Sequence, residues 1–539
     1  MGRTRWRVVR RGCVATGAVL MILAVLAPQV DAEPKFAAVM SMPTVTGASL
    51  VNLAPFTSVS CLGATGCTAT GPSEAAVGNG GGKAAYDTNG ARTWSQPSTF
   101  TLPANVVASP TFSPAMDAVS CWAVEDCAAV GEYPVSEDIV GVTNTVPAPM
   151  AAVETSGVWG AASQITMPAD SYGVLTGVSC VASGNCTATG LDVAKSPSTG
   201  ALSFHSVTAT EVGGTWSSAT MRSNPTGSNL VLVPTSISCL TPSDCTLVEA
   251  NESSKVVSSY VVTEVAGTWS APQLLAGSTG EQLLAESIAC TGLGSCVSVG
   301  VSGTTAAIEN SGTTYPATEI ETGGVWRRAV RQRLPLLSPV TIGGGLTSVS
   351  CASPSVCVAV GIATTTSKTH EGVPIALTYR GNAWGSIGIY PGPVLAGAKP
   401  SVASGFTSVS CFSTTSCMGL GESANGPITA QRAKAYSFSD LVLPVGVPRR
   451  PGSPIALRAT GSKVRTTITW APPYSDGGAP VTAFDVTVTS PGKAPHTCKT
   501  RRLECSFAGL VRGHIYRFWV GDMNKVGSSP SRLVTFTVR

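Results

Sequence analysis

The stretch SVSCLGATGCTATG, residues 58–71, decides the fold, because the chain repeats its pattern six more times. A short apolar strand ends at Cys61, five residues form a turn, and a second strand begins at Cys67. The first cysteines of successive copies lie 60, 59, 59, 51, 61 and 60 residues apart. A period of this size, built from strands, is typical of propellers and solenoids.

Each of the first six copies continues with a third strand, a glycine-containing turn and a fourth strand opened by tryptophan; these tryptophans are Trp94, Trp159, Trp216, Trp269, Trp326 and Trp384. Four strands per unit is the content of one propeller blade. The seventh copy lacks the tryptophan, but the N-terminal segment KFAAVMSMP is similar to the sequence after Trp159. We therefore expect an all-β, seven-bladed β-propeller over residues 33–442, in which residues 35–43 supply the outer strand of the last blade.

The cysteines predict one disulfide in each blade. Zinc is the competing explanation for regular cysteine pairs, but none of the four histidines lies near a pair, and two thiolates make an incomplete zinc site. Each bridge closes a small loop, which stabilises a hairpin by about 2 kcal/mol. With Cys13 set aside, the expected pairs are Cys61/Cys67, Cys121/Cys127, Cys180/Cys186, Cys239/Cys245, Cys290/Cys296, Cys351/Cys357, Cys411/Cys417 and Cys498/Cys505.

The first 32 residues read as a secretory signal peptide. Five arginines precede an apolar run from Val14 to about Ala27, and Val30 and Ala32 suit a cleavage site. The alternative is a retained membrane anchor, for which the run is short of the roughly 20 residues that span a bilayer. We expect a secreted, extracellular protein, associated with a cell surface in one variant of this hypothesis, in an oxidising compartment that suits disulfides.

The order of apolar strand, second strand ending in AVG, turn and GG-T-W resembles the Asp-box (bacterial-neuraminidase-type) repeat propellers. The match is degenerate: only YDTNGARTW, with Asp87 and Gly90 ahead of Trp94, approaches the full motif. In that family the Asp box is a structural turn. The resemblance implies a propeller, and a sialidase would further need an arginine triad, a tyrosine nucleophile with a glutamate, and an aspartate acid/base, none of which a motif places here.

The composition changes at a proline-rich linker, residues 443–454, and residues 455–539 alternate apolar and polar residues as a β-sandwich does. This segment resembles a fibronectin type III domain in ITWAPP with Trp470, in SDGGAPVTAF, and in LVRGHIYRFWVGDMNKVGSSP, where Tyr516 takes the position of the tyrosine corner. Cys498 and Cys505 are expected to tie neighbouring strands. The resemblance implies a spacer or attachment module.

Charge separates the two regions. Residues 445–539 hold 14 Lys and Arg against 4 Asp and Glu, whereas residues 33–444 hold 15 against 25. The resulting net charges are +10 and −10. The basic module could dock onto an anionic cell-wall polymer or onto its own propeller. Nucleic acid is not expected as a partner, because basic and aromatic residues do not interleave.

Candidate site residues are those that break the repeat. Glu249 replaces the glycine that ends the second strand of the other copies, close to Asp244 and Glu252. It is either a catalytic candidate or a solvated strand end. The further catalytic candidates are Glu125 and Asp126, and the ligand-binding candidates are Trp122, Asp244 and Glu252. The second turn reads WAVED, in which Trp122 could stack on a sugar beside Glu125 and Asp126, or could pack on the neighbouring blade.

The run RRAVRQR, residues 327–333, either protects an outer edge strand from pairing or binds an anion. No metal site or cofactor is expected. Two hypotheses remain: a non-catalytic protein that binds a glycan, an extracellular polysaccharide or a surface protein through one propeller face, or an extracellular glycosidase that hydrolyses O-glycosyl bonds. Paired carboxylates for hydrolysis need a separation of roughly 5 to 9 Å, which spacing along the chain does not establish.

Overall fold

The fold is described from a computed structural model. It describes residues 37–41, 56–63, 66–72, 83–86, 94–95, 97–109, 113–138, 143–196, 198–199, 201–222, 231–251, 257–309, 312–334, 341–365, 371–380, 383–385, 387–389, 403–424, 435–442, 453–461, 465–471, 481–490, 494–524, 527–529 and 531–538. The predicted signal peptide, Cys13, Asp87, Gly90, Glu252 and residues 443–452 of the predicted linker lie outside these residues.

The region before residue 443 forms seven antiparallel sheets, one for each cysteine pair. The first strand in the described residues, β1 (Ala37–Ser41), belongs to the seventh sheet. Sheet 1 holds β2 (Ser58–Cys61), β3 (Cys67–Gly71), β4 (Lys83–Tyr86) and β5 (Ser98–Thr99). Sheet 2 holds β6 (Ala115–Ala123), β7 (Asp126–Asp138), β8 (Thr143–Thr155), β9 (Val158–Trp159) and β10 (Ser163–Gln164). Sheet 3 holds β11 (Ser171–Ala182), β12 (Asn185–Lys195), β13 (Leu202–Val212), β14 (Thr215–Trp216) and β15 (Thr220–Met221).

The next four sheets repeat this order. Sheet 4 holds β16 (Leu232–Thr241), β17 (Asp244–Asn251), β18 (Ser258–Val265), β19 (Thr268–Trp269) and β20 (Gln273–Leu275). Sheet 5 holds β21 (Gln282–Gly292), β22 (Ser295–Gly303), β23 (Tyr315–Thr322), β24 (Val325–Trp326) and β25 (Val330–Arg331), with a short helix α1 (Thr305–Glu309) after β22. Sheet 6 holds β26 (Thr341–Ser353), β27 (Val356–Thr365), β28 (Glu371–Arg380), β29 (Ala383–Trp384) and β30 (Gly388–Ile389). Sheet 7 holds β31 (Ala403–Ser413), β32 (Ser416–Ala424), β33 (Ala435–Val442) and β1.

The cysteine spacing gives the hairpin that it predicts. In every sheet the two cysteines are directly opposite one another in the register of the first two strands, as in Cys180↔Cys186, and they form a disulfide. Their Cα atoms are 3.9–4.1 Å apart in all seven hairpins. The seven predicted bridges of the repeat are confirmed: Cys61–Cys67, Cys121–Cys127, Cys180–Cys186, Cys239–Cys245, Cys290–Cys296, Cys351–Cys357 and Cys411–Cys417.

The turn between the two cysteines is shorter than the five residues expected. In sheets 2 to 7 the first strand continues two residues past the first cysteine, and the second strand begins one residue before the second cysteine. In sheet 2, Ala123 lies opposite Asp126, so that Val124 and Glu125 alone form the turn. Trp122 is then the extra residue of a β-bulge, which brings the cysteines opposite one another while a two-residue turn closes the hairpin.

The second cysteine of each hairpin is buried. In sheets 2 to 7 the second strand begins one residue earlier than expected. The second cysteine packs inside the sheet layers. These second cysteines therefore have a structural role and are not accessible to a ligand. The buried residues are Cys67, Cys127, Cys186, Cys245, Cys296, Cys357 and Cys417.

The fourth strand differs from the prediction, because in sheets 2 to 6 it comes in two pieces. In sheet 3, Trp216 is opposite Glu211 while Thr220 is opposite Thr208, so that four residues of the outer strand span three of β13. This extra residue is a β-bulge, and Ser217 donates a backbone hydrogen bond to Thr210 across it. The tryptophan therefore lies in the first piece of a kinked outer strand.

The N-terminal strand completes the seventh sheet, as expected from its similarity to the segment after Trp159. Strand β1 pairs antiparallel with β33, with Ala37 opposite Leu441 and Ser41 opposite Phe438. The sheet order is β1-β33-β32-β31, so that β1 occupies the outer position that the tryptophan strand takes elsewhere.

The core of the repeat region is a set of thin layers between consecutive sheets. Ala151 and Ile165 of sheet 2 pack with Leu175, Val178 and other residues of sheet 3. Sheets 1 and 7 share a similar layer, in which Phe56 and Val59 pack with Leu420. Since most of these buried side chains are small, each layer contributes modest apolar area.

The C-terminal region is a two-sheet sandwich. One sheet has the order β34 (Ile455–Gly461), β35 (Arg465–Ala471), β38 (Glu504–Ala508). The other pairs β37 (His496–Thr500), β36 (Ala483–Thr489), β39 (Ile515–Asn524), β40 (Gly527–Ser528) and β41 (Arg532–Thr537). Cys498 and Cys505 form a disulfide, as expected, and it joins β37 to β38 across the two sheets.

Candidate functional site

A ladder of serine hydroxyls joins the seven sheets, and sequence reasoning missed it. The serine before the first cysteine accepts a hydrogen bond from the backbone N–H of the first cysteine in the next sheet, as Ser60 does from Cys121 at 3.0 Å. Ser120, Ser179, Ser238 and Ser350 accept the same bond, and Ser410 of sheet 7 accepts it from Cys61 of sheet 1 at 2.9 Å. In sheet 5 this position is Ala289, and Ser287 instead accepts a bond from Val349.

The ladder means that consecutive first strands are neighbours and that the last neighbours the first. Serine two residues earlier repeats the contact where it is present; Ser408, for example, accepts a bond from Val59 at 3.2 Å. Threonine hydroxyls bond in the reverse sense, as from Thr407 to the carbonyl of Phe56 at 3.5 Å. Each partner lies about one repeat away along the chain or, between sheets 7 and 1, 349 or 351 residues away.

In sheets 2 to 5, the cysteine turn and the glycine turn lie at the same end of the sheet. In sheet 3, Gly213 donates a backbone hydrogen bond to Gly184 at 2.9 Å, and equivalent bonds run from Gly157 to Glu125, Gly267 to Ser243 and Gly324 to Gly294. We call the end of the sheets that holds the cysteine turns the turn face. It is where the candidate residues of the WAVED segment and Asp244 lie.

The carboxylates of the turn face support the turns. Asp126 accepts a hydrogen bond from the backbone N–H of Ser156 at 2.7 Å, and Asp244 accepts one from Ala266 at 3.0 Å and one from the hydroxyl of Thr241. These bonds, the backbone bond first, hold the pKa of Asp244 below its ordinary value. Glu125 adopts a left-handed φ of 64°, at a position where sheets 3 and 5 use glycine. Both aspartates therefore have a structural use, which does not require a ligand.

Glu249 is buried, so the interpretation as a solvated strand end is wrong. Its side chain is 1% exposed, and it forms an ion pair with Arg222 at 3.1 Å, whose own side chain is 7% exposed. The guanidinium of Arg222 lies 4.5 Å from the ring centre of Trp269. Burial raises the pKa of Glu249 although the charge of Arg222 opposes the shift, and burial lowers the pKa of Arg222. A carboxylate in this position is closed to a polysaccharide.

The structure also shows what Trp122 and the arginine run contact. Trp122 is partly buried and packs on the layer between sheets 2 and 3, as the alternative interpretation of this residue expected. Arg331 on the edge strand β25 forms an ion pair with Glu281 at 3.0 Å, and Arg328 donates to the carbonyl of Gly277 at 3.1 Å. These contacts bind the edge of sheet 5 to the loop before it.

The turn face exposes a set of large aliphatic side chains that sequence reasoning also missed. They occur on the turns of sheets 1 to 5 and are between 42% and 70% exposed: Leu62, Val124, Val158, Val212, Val265, Leu293 and Val325. In four of the glycine turns one valine faces one threonine across the turn, as in Val212↔Thr215. A concentration of apolar side chains on one face is typical of an interaction surface.

Within the described residues, no group of three or more His, Cys, Asp or Glu side chains could hold a metal ion. No helix in that part of the chain is long and apolar enough to cross a membrane.

The sandwich has the hallmarks of one family. Trp470, Phe484 and Phe518 lie in a single core, and the hydroxyl of Tyr516 accepts a hydrogen bond from the backbone N–H of Val511 at 2.9 Å, which is the tyrosine-corner contact. The model of the fibronectin type III domain family matches residues 451–538. This region is a fibronectin type III domain. The Asp-box resemblance of the repeat region has no matching family model among the comparisons.

The similar proteins cover a small part of this chain. Fibronectin type-III domain-containing protein 3A of Mus musculus is 30% identical over 98 residues, which are 18% of this chain and 8% of that protein. Two solved structures are the FN5 domain of Drosophila Lar, at 19% identity, covering 16% of this chain and 96% of that one with a TM-score of 0.14, and a human FNIII domain, at 26% identity, covering 17% and 84% with a TM-score of 0.16. The chain thus spans a small fraction of the curated relative that it matches.

Proposed function

We propose that the protein is a secreted, non-catalytic binding protein, in which the seven sheets are the blades of a seven-bladed β-propeller and the fibronectin type III domain is an attachment module. The serine contacts from sheet 7 to sheet 1 and the pairing of β1 with β33 support the closed ring. Closure would remove the exposed edges that an open array leaves. The disulfides are consistent with an extracellular location.

The observation that carries the binding role is the exposed aliphatic set on the turn face. Val158, Val212 and Val325 are each at least 64% exposed, and they project from turns that the hairpins hold in place. Valine and leucine pack against apolar protein surface, whereas sugar recognition uses aromatic rings and polar groups. A surface protein is therefore the favoured partner of this face.

The experiment compares two sets of substitutions in the full chain. Val158, Val212, Val265 and Val325 are each replaced by threonine, which keeps the β-branched shape and gives a threonine pair across each turn. The control replaces Leu202, Met221 and Leu274, which are exposed away from the turn face, by threonine. We expect retention on the surface of the cells that secrete the protein to fall about tenfold for the turn set and to be unchanged for the control. Equal retention would contradict the proposal.

The hydrolase hypothesis is tested separately. Glu249 is buried in an ion pair, and Asp126 and Asp244 accept hydrogen bonds from the turns, so no described observation favours it over binding. We expect no release of reducing sugar from a panel of neutral, acidic and sialylated polysaccharides. Release that is lost on Asp126→Asn would contradict the non-catalytic assignment.

A further inference from the structure

We infer that the outer face of the five-stranded sheet in the fibronectin type III domain binds an acidic polysaccharide. Trp519 would stack on a sugar ring, while Arg517 and Lys499 pair with its carboxylates. This rests on the proposed function and deepens it, since it names the polymer class to which the attachment module binds.

Strand β39 alternates between core and surface, which fixes what this face presents. Tyr516, Phe518 and Val520 are buried in the core of the sandwich. The residues between them, Arg517 and Trp519, are exposed on the opposite side. A tryptophan at this position is unusual, because a large aromatic ring on an open sheet face has no core to fill.

The neighbours of Trp519 form a flat platform. Trp519 lies opposite Thr487 on one side and Leu533 on the other. The indole is 37% exposed and Leu533 is 43% exposed, so the apolar surface continues across two strands. Threonine hydroxyls lie on the same outer face, at Thr487, Thr497 and Thr535. A pyranose is bound by an aromatic ring that stacks on it and by neighbouring hydroxyls that hydrogen-bond to it, and this face provides both.

The charges of the face favour an acidic polymer. Arg517 and Lys499 are exposed, and within the described residues neither takes part in an ion pair. Asp485, opposite Lys499, is the one acidic residue of the strands β36, β37, β39 and β41 that is on this face. The whole module carries a net charge of +10, which draws an anionic polymer towards it.

Two other anionic partners fit less well. A single-stranded nucleic acid takes several stacking aromatics along a basic groove, and this face has one. An anionic membrane binds surfaces whose apolar side chains can insert, which suits an amphipathic helix more than a sheet face. Both become outcomes of the test.

Affinity of the full chain for polygalacturonate, measured by isothermal titration at fixed salt, tests the inference. We expect Trp519→Ala to weaken binding about tenfold, which corresponds to the loss of one good stacking contact, and Arg517→Ala to weaken it severalfold. Asp485→Asn removes an acidic group beside Lys499 and should tighten binding.

Each control removes the same type of side chain, apolar or positively charged, from a position outside the proposed binding face. Leu503→Ala removes a side chain that is also 37% exposed, and Arg458→Ala removes one positive charge from the opposite sheet. Both should leave the affinity unchanged. Equal losses for Arg517→Ala and Arg458→Ala, or tighter binding to single-stranded DNA or to phosphatidylglycerol vesicles than to polygalacturonate, would overturn the inference. Dextran, which is neutral, should not bind measurably.

The failure of this inference differs from failure of the proposed function. In the Trp519→Ala variant, the threonine substitutions of the turn face should still lower retention by a surface protein as they do in the unmodified chain. The turn-face variant, in turn, should bind polygalacturonate as the unmodified chain does. A chain that is retained through the turn face yet ignores polygalacturonate would refute this inference alone.

Discussion

The repeat region and the fibronectin type III domain are both all-β, but different interactions hold their sheets together. In the domain, two sheets enclose one core that contains Trp470, Phe484, Phe507 and Phe518, and its disulfide joins one sheet to the other. In the repeat region each disulfide lies within a hairpin, and the sheets meet through thin apolar layers and the serine ladder. A chain that divides its core into many thin layers therefore uses covalent and polar contacts where a domain with a single aromatic core uses apolar packing.

The buried ion pair of Glu249 gives the largest expected effect on this comparison. Replacing Glu249 with Gln leaves the guanidinium of Arg222 buried without its partner carboxylate, which costs about 3–5 kcal/mol. Urea denaturation of the full chain should show the loss in the repeat region and leave the transition of the sandwich unchanged. The double substitution Arg222→Met with Glu249→Leu should recover most of the loss, because it removes both charges. A double variant as unstable as Glu249→Gln would contradict this account.

Each region has one buried acidic side chain that makes its stability depend on pH, and the two pH ranges differ. Glu319 lies opposite Ser298, where the equivalent pairs are apolar in sheets 2, 3, 4 and 6, and burial raises its pKa to about 8. Burial raises the pKa of Asp522 in the sandwich to about 6, a smaller shift, because the hydroxyl of Ser529 hydrogen-bonds to it. Both groups hold a proton more tightly when folded, so their contribution to stability is full at low pH and is lost as the pH rises through the folded pKa.

The measurement is stability against pH for Glu319→Leu and Asp522→Asn. We expect Glu319→Leu to stabilise the repeat region at pH 8 by a few kcal/mol and to remove its loss of stability between about pH 4.5 and 8. Asp522→Asn should flatten the stability of the sandwich between about pH 4 and 6 only. Glu309→Gln, an exposed change on α1, is the control. An unchanged pH profile for Glu319→Leu would refute the assignment.

The serine ladder gives the smallest expected effect. Ser60→Ala removes the acceptor for the backbone N–H of Cys121, and leaving that group without a bond costs about 1–3 kcal/mol. The chain offers the reverse change, since Ala289→Ser would supply the serine that sheet 5 lacks and should stabilise by about 1 kcal/mol. Urea denaturation of both variants tests whether the free energy of unfolding falls for the first and rises for the second. Two neutral results would show that the ladder contributes nothing to stability.

Sequence reasoning predicted the local and the repeated features. The five-residue spacing of Cys180 and Cys186 predicts a closed hairpin, since both ends of so short a segment must face one another, and the sequence ITWAPP predicted the sandwich. The pairing of residues 37–41 with the last sheet was also predictable, because a repeat with a missing strand needs a replacement. The bulge that shortens the cysteine turns was not, because spacing alone does not say which residue leaves the register.

Features that depend on contacts between units escaped prediction. The serines of SVSC recur in most copies of the repeat, but their bonding partners lie in the next sheet, so that Ser410 bonds Cys61 across 349 residues. Glu249 gave a signal as an exception to a repeated glycine, yet its partner Arg222 follows the outer strand of sheet 3, in the neighbouring unit, where spacing along the chain does not place it. The exposed valines of the turns read as ordinary β-branched residues until the fold places them on one face.

The proposed function depends on a closed ring, in which sheet 7 meets sheet 1, and amide hydrogen exchange tests this proposal most directly. The backbone N–H groups of Val59 and Cys61 donate to the hydroxyls of Ser408 and Ser410, at the far end of the repeat region. In the double variant Ser408→Ala with Ser410→Ala, exchange at these two amides should accelerate, while Cys180, whose N–H donates to Ser120, should keep its rate. Unchanged exchange at Val59 and Cys61 would contradict closure of the ring.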